Sequence, residues 1–287
     1  METEFLLGPN KALYQIYDNF PKLEEGSKVG VFFSGGLEST LIAYITSKLY
    51  RPENVILFYS DSMFSGNDAI IDQNIRANVA RTAEVIGKEA IYIETDLELL
   101  NNDRKTFVES YTKQIINDYN LEVMFFGFTS LFFEVEPFKD ESLTLKEIIA
   151  TAYSNQSLYK DTIREFHLDT GAYASYLQEI DIPSEVYPIL RGASNMIISP
   201  FKDLNKKEVV DLYAKLGLLP ISYQTSSCIM DELRETGKHC GKCFNCQQRL
   251  DGYMMAGYLD RTPYANTDIF QRYDELMKAR HGFYNED

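Results

Sequence analysis

The run Lys28-Val-Gly-Val-Phe-Phe-Ser-Gly-Gly-Leu-Glu-Ser-Thr-Leu-Ile-Ala-Tyr-Ile45 constrains the fold more than any other stretch of this chain. Val29, Val31, Phe32 and Phe33 make a short apolar run that reads as a buried strand, and Leu41, Ile42 and Ile45 give a helical stripe from Glu38 onward. Ser34-Gly35-Gly36 stands between the two. A strand, a small-residue turn and a helix N-terminus together form an anion cradle. Glycine lets the backbone approach a phosphate, and the unpaired N–H groups of the first helical turn point along the helix dipole. The same residues also suit a tight βα turn that needs glycine for steric reasons alone. A lone Gly-Gly pair does not separate these readings.

The strand-and-helix rhythm continues. Asn54–Ser60, Ala90–Glu94, Val123–Gly127 and Asn195–Ser199 read as further strands, the last stopped by Pro200. Asn205 and Glu208 have the spacing of a capping box for a helix that carries Val209, Leu212, Tyr213 and Leu216 and ends at Gly217. Strands alternating with helices predict an α/β fold with a doubly wound, Rossmann-like parallel sheet. Ligands in such sheets sit beyond the carboxyl ends of the strands. The Ser34–Gly36 turn, Ser60-Asp61 and the turn that begins at Gly127 all fall at such ends. Between residues 131 and 190 the rhythm breaks into helical spacing without a clear strand, which reads as a helical insertion.

The formal net charge of −15 argues against broad electrostatic binding to nucleic acid or to an anionic membrane, where Lys and Arg must neutralise phosphates. A small-molecule substrate is the better default. No run reaches the roughly 20 apolar residues that span a bilayer, and the start Met1-Glu-Thr-Glu is unlike a signal peptide, so the expectation is a cytoplasmic protein.

All four cysteines of the chain fall between Cys228 and Cys246, as Cys228-x11-Cys240-Gly-Lys-Cys243-Phe-Asn-Cys246. Clustered cysteines in a chain of this kind point to metal rather than to a disulfide framework. Two tight spacings bring three sulfurs to one centre and a loop supplies the fourth, which fits a structural, four-thiolate Zn²⁺ site. An iron–sulfur cluster is the competing reading. Its usual run places another cysteine three residues on, followed by proline, whereas Gln247-Gln248-Arg249 follows here. His239 is a further candidate ligand, but four cysteines already complete the set.

Taken together, these features resemble one family. Ser34-Gly-Gly-Leu-Glu-Ser39 is similar to the PP-loop motif of the ATP pyrophosphatases, SGGxD followed by Ser or Thr. Thr225-Ser-Ser-Cys228, the cysteine run to Arg249, and Gly257-Tyr-Leu-Asp260-Arg-Thr-Pro-Tyr264 resemble the C-terminal zinc segment of the 7-cyano-7-deazaguanine (preQ0) synthases. Ser199-Pro-Phe-Lys-Asp-Leu-Asn-Lys206 resembles a third stretch of that family. The resemblance implies a sheet of the PP-loop (HUP) type over residues 1–220, with the helical insertion at 131–190, and a zinc-binding module with a terminal helix over 221–287. It further implies an ATP-dependent C–N ligase that converts a 7-carboxy-7-deazaguanine-like acid and ammonia to the nitrile and releases AMP and pyrophosphate. Mg²⁺ would accompany the nucleotide, and a homodimer is the family expectation. Position by position, Ser34, Gly35, Gly36, Leu37, Ser39, Thr40 and Gly127 would line ATP and its pyrophosphate, and Ser60 and Asp61 would lie near the adenosine. Glu38, in the place of the motif aspartate, and Lys206, as a cation near the pyrophosphate, would be the catalytic residues. Arg249 and Asp260 would touch substrate or brace the zinc module, and Cys228, Cys240, Cys243 and Cys246 would hold the metal.

Three departures stand beside the resemblance. The motif aspartate is Glu38 here, 33 residues precede Ser34, and the family's FVPGRN-like stretch is replaced by Gly127-Phe-Thr-Ser-Leu-Phe-Phe133. They leave two other functions in view. One is a PP-loop enzyme that transfers sulfur or nitrogen to tRNA, or joins a nucleobase to a macromolecule. The other is a degenerate nucleotide-binding sensor.

Overall fold

The computed structural model describes residues 19–60, 69–93, 104–127, 129, 197–202, 204–228, 236–241 and 243–265. The insertion expected at 131–190 lies outside these residues, and so does Asp61. In chain order the described elements are β1 (Val29–Phe32), α1 (Leu37–Leu49), a 3-10 turn (Pro52–Asn54), β2 (Val55–Tyr59), α2 (Ala69–Val85), β3 (Ala90–Tyr92), α3 (Arg104–Tyr119), β4 (Val123–Phe126), β5 (Ile197–Ile198), α4 (Lys206–Lys215), α5 (Leu219–Ser222) and α6 (Phe244–Ala256). All five strands predicted from apolar runs are present. Three helices, α3, the short α5 and α6, are not evident from the sequence. The described part of α3 buries Thr112, Ile115 and Ile116 within an otherwise polar stretch, and α6 starts inside the cysteine run.

The strands form one parallel sheet in the order β3-β2-β1-β4-β5. Alternation along β1 sets the two faces. Val29 and Val31 join Val55, Leu57, Val123 and Phe125 in one apolar cluster with residues of α1, α2 and α4. Phe32 points the other way, among Phe58, Met124, Phe126 and the α3 residues Ile115 and Ile116. Both faces are therefore covered, which is why the strands read as continuous apolar runs. Gly30 faces Met124 and Leu121, where an added Cβ would lie 2.7 Å from the Met124 sulfur.

The order reverses at β1. Chain growth runs outward through β2 and β3, then returns to place β4 on the other side of β1. Doubly wound sheets bind ligands at such a switch, here beyond the carboxyl ends of β1 and β4.

The capping box predicted for α4 is present. Glu208 N–H donates to Asn205 Oδ1 at 3.2 Å, and Asn205 N–H donates to Glu208 Oε2 at 2.8 Å. Among the described residues, no helix is long and apolar enough to cross a membrane.

Candidate active site and metal centre

The turn after β1 is built by close packing. Gly35 has φ of 74°, a left-handed conformation that glycine adopts without strain, and a Cβ there would lie 3.0 Å from the carbonyl oxygen of Asn78. Gly36 caps α1 with extended backbone and, having no side chain, offers the first-turn N–H groups no capping acceptor of its own. Ser34 and Ser39 close the turn on itself. Ser34 N–H donates to Ser39 Oγ at 3.2 Å, and the two hydroxyl oxygens lie 3.2 Å apart. Thr40 is fully buried, and its hydroxyl has no hydrogen-bond partner among the described residues. The Leu37 side chain is buried in the core, and its carbonyl accepts a 2.8 Å hydrogen bond from the buried hydroxyl of Tyr213 on α4.

Gly127 at the end of β4 packs directly against this helix start. A Cβ on Gly127 would lie 2.7 Å from Ser39 N and 3.1 Å from Glu38 Cβ, so only glycine lets β4 and α1 approach this closely. Gly127→Ala should therefore force the helix start away from the β4 turn. The expected cost is about 1–3 kcal/mol, read as a lower Tm and a weakened affinity for pyrophosphate.

Glu38 is 7% exposed and meets Lys206 in an ion pair through Oε1. Thr129 Oγ1 donates to the same carboxylate oxygen at 3.2 Å. Lys206 opens α4, 168 residues away in sequence, so the pair exists only because the sheet brings α4 beside α1. Ser60 is buried at the end of β2.

On the other side of the turn, α2 and the segment before Cys228 close over it. Ser226 N–H donates to the Gly35 carbonyl at 2.8 Å. Asn78 Nδ2 donates to the Cys228 carbonyl at 3.4 Å, while Thr82 Oγ1 donates to the Asn78 carbonyl at 2.8 Å. Arg81 donates to Ser226 Oγ. The sequence carries a hint of Ser226 and Thr129, which fall within noted runs, but nothing in it singles out Asn78, Arg81 or Tyr213.

Cys228, Cys240, Cys243 and Cys246 are all buried, and their sulfurs lie within 4.8 Å of one another. Backbone N–H groups point at the sulfurs: Cys240 N–H to Cys228 Sγ and Cys243 N–H to Cys240 Sγ, each at 3.3 Å. Four converging sulfurs with N–H donors to two of them fit a metal with a closed shell. His239 is outside this set. It is 1% exposed, its ring meets Tyr264 edge-on at 5.5 Å, and burial holds it down to about 3, so it is neutral.

Arg249 and Asp260 are fully buried and bond to each other, Nε to Oδ2 at 2.7 Å. The Arg249 amino groups also donate to Thr225 Oγ1, the Ser222 carbonyl and Thr262 Oγ1, each at 2.7 Å. Asp260 accepts further from Thr262 N–H at 3.0 Å and from Tyr264 O–H at 2.7 Å. Burial disfavours the Asp260 charge, but Arg249 and these donors outweigh it and hold the carboxyl below its ordinary value. Of the two roles left open for Arg249 and Asp260, these bonds fit the bracing one. Their polar atoms are engaged within the module, where they brace the Ser222–Ser227 segment and the loop at Thr262 (Ser227 Oγ lies 3.4 Å from Nη1).

A glycine-rich turn at the switch point of a doubly wound sheet, joined to a four-cysteine centre, defines a PP-loop-type α/β protein. Residues 28–257 match the family described as Queuosine biosynthesis protein QueC, and the chain belongs to that family. The chain is 25% identical to 7-cyano-7-deazaguanine synthase of Thermoplasma volcanium over 261 residues, which cover 88% of this chain and 97% of that protein. It is 28% identical to GMP synthase (glutamine-hydrolyzing) of Dictyostelium discoideum over 203 residues, 67% of this chain but 25% of that protein. With 7-cyano-7-deazaguanine synthase of Methanocaldococcus jannaschii it shares 40% identity over 72 residues, 24% of this chain and 30% of that protein. The chain thus matches about a quarter of the Dictyostelium protein and under a third of the Methanocaldococcus one. A solved structure, the U34-tRNA thiolase NcsA from Methanococcus maripaludis with its 4Fe-4S cluster, aligns with TM-score 0.38 and 12% identity over 92% of this chain and 78% of that one. At that score it bears no weight.

Proposed function

We propose that this protein is an ATP-dependent C–N ligase and nitrile synthase that acts on a 7-carboxy-7-deazaguanine-like acid. The observation that carries the reading is the meeting of the Ser34–Gly36 turn, Gly127 and the Glu38–Lys206 pair at the switch point, in a chain of the QueC family. In the first half-reaction a carboxylate oxygen of the acid bonds to the α-phosphorus of ATP and pyrophosphate departs. Ammonia then attacks the acyl carbon, AMP leaves, and the proton lost from nitrogen goes to solvent, which gives the amide. In the second, the amide oxygen bonds to the α-phosphorus of another ATP and a second pyrophosphate departs. Departure of AMP with that oxygen, and loss of two protons from nitrogen, leaves the nitrile.

Such chemistry needs positioning and charge stabilisation more than a protein nucleophile. The N–H groups of the Gly36–Ser39 turn would receive the departing pyrophosphate, and Ser34, Ser39 and Thr40 offer hydroxyls beside it. Lys206 would carry positive charge to the same place, with Glu38 holding its ammonium. Mg²⁺, when bound with the nucleotide, would offset the phosphate charge, and Glu38, in the place of the motif aspartate, would be its carboxylate ligand. Ser60 and Asp61 remain proposed neighbours of the adenosine. The cysteine centre is proposed to bind Zn²⁺ in a structural role, since a closed four-thiolate shell leaves no open position.

The test is direct. Protein, ATP, Mg²⁺, ammonium and 7-carboxy-7-deazaguanine are incubated, and pyrophosphate and nitrile are followed by mass spectrometry. We expect two pyrophosphates per nitrile. AMP and pyrophosphate without nitrile would remove the nitrile product and move the reading to another acceptor. No ATP turnover with this acid, together with tight nucleotide binding, would favour a sensor.

A further inference from the structure

The two best-placed cations around the turn differ in one respect. Lys206 is already matched by the Glu38 carboxylate. Arg81, near the C-terminal end of α2, has no carboxylate partner among the described residues. Its guanidinium reaches Ser226 Oγ, and the N–H of that same Ser226 is bound to the Gly35 carbonyl. The Ser226 carbonyl passes 3.6 Å from where a Gly36 Cβ would lie, so this segment crosses directly over the turn. Asn78 and Thr82, the α2 neighbours of Arg81 in space and sequence, hold the Gly35 side of the same turn. Arg81 remains solvent-accessible while its guanidinium is partly covered at Ser226, so a ligand can reach it. Partial burial without a counter-charge pulls the guanidinium below its ordinary value, which an incoming anion would reverse.

We propose that Arg81, oriented by Ser226, binds the pyrophosphate end of the nucleotide at the Ser34–Gly36 turn. The chemistry follows from charge count. A polyphosphate arriving at this turn brings several negative charges, whereas Lys206 is shared with Glu38. A planar guanidinium bonds two phosphate oxygens at once, which a lone ammonium cannot do. In a chain of net charge −15, a cation left open at a phosphate-sized turn also steers the anion to the right mouth. This inference rests on the ATP-using reading given above.

The experiment measures equilibrium binding of inorganic pyrophosphate, and separately of Mg·ATP, by calorimetry on wild type, Arg81→Ala, Arg81→Gln and Arg81→Lys. The Gln variant keeps a donor for Ser226 but removes the charge, so it guards against a mere packing defect. Loss of a charge-assisted contact should weaken pyrophosphate binding roughly tenfold or more in Ala and Gln, with partial recovery in Lys. The salt dependence of binding should become shallower in the first two, while all four proteins keep similar Tm. Wild-type binding together with Gln and Ala variants within about twofold of it overturns the role of Arg81 and leaves the ATP-using reading intact. The same holds if only the KM of the acid rises, since the guanidinium would then serve the carboxylate of the acceptor. A wild-type protein that binds neither pyrophosphate nor Mg·ATP overturns both.

Discussion

Cys243→Ser protein is expected to lose its metal and to unfold at a much lower temperature than wild type, rather than to show a pure rate defect. The four sulfurs are buried and converge within 4.8 Å, so their free energy of metal binding is available only to the folded chain. Losing it should cost more than about 4 kcal/mol, a size seen when a structural metal is lost, which corresponds to roughly 10 °C or more in Tm. The damage should also reach the turn. Cys228 stands two residues from Ser226, whose N–H holds the Gly35 carbonyl, and the Cys228 carbonyl is held by Asn78. Pyrophosphate affinity should therefore fall when metal is stripped by a chelator and recover when Zn²⁺ is returned. Elemental analysis of the purified protein should give zinc near one per chain. Iron with a visible absorbance band would replace that identity, and a Cys243→Ser variant with wild-type Tm would remove the centre from the folding argument.

The second large effect concerns the buried ion pair. Lys206→Ala leaves the Glu38 carboxylate, at 10% side-chain exposure, without its cation. Leaving one member of a buried pair alone costs about 3–5 kcal/mol, so this variant should be both unstable and inactive. Glu38→Ala should abolish pyrophosphate release, a fall of roughly 10²-fold or more if the carboxylate organises charge at the reaction centre. Glu38→Asp keeps the charge and restores the residue of the PP-loop motif, so it should retain turnover or raise it, although the shorter side chain loosens the contacts to Lys206 and Thr129. The double variant Glu38→Ala/Lys206→Ala should be more stable than the sum of the two single losses, because it removes both charges together. Equal turnover in Glu38→Ala and wild type would take Glu38 out of the mechanism.

Much of this was legible before any coordinates. The five strands announce themselves because a parallel sheet covered on both faces needs apolar residues at consecutive positions, as in Val29–Phe32 and Val123–Phe126. The capping box at Asn205 and Glu208 is equally local, since its donors and acceptors lie three residues apart. The cysteine spacing announces a shared centre for the same reason. Helix α3 was missed because much of its sequence is polar and only a few positions, such as Ile115 and Ile116, meet the sheet.

The amino-acid sequence by itself determined the strand–turn–helix at Ser34–Gly36, the α/β class and the four-cysteine cluster, because each depends on residues close together in the chain. Tertiary structure alone decided who meets whom. Glu38 finds Lys206 across 168 residues, and Gly127 leaves no room for a Cβ because β4 runs against the start of α1. The sequence left open whether Arg249 and Asp260 touch substrate or brace the module; in space they bond to each other, Arg249 also to the Ser222–Ser227 segment and Asp260 to Thr262 and Tyr264. A side chain's partners follow from the packing of whole elements, and no spacing along the chain encodes them.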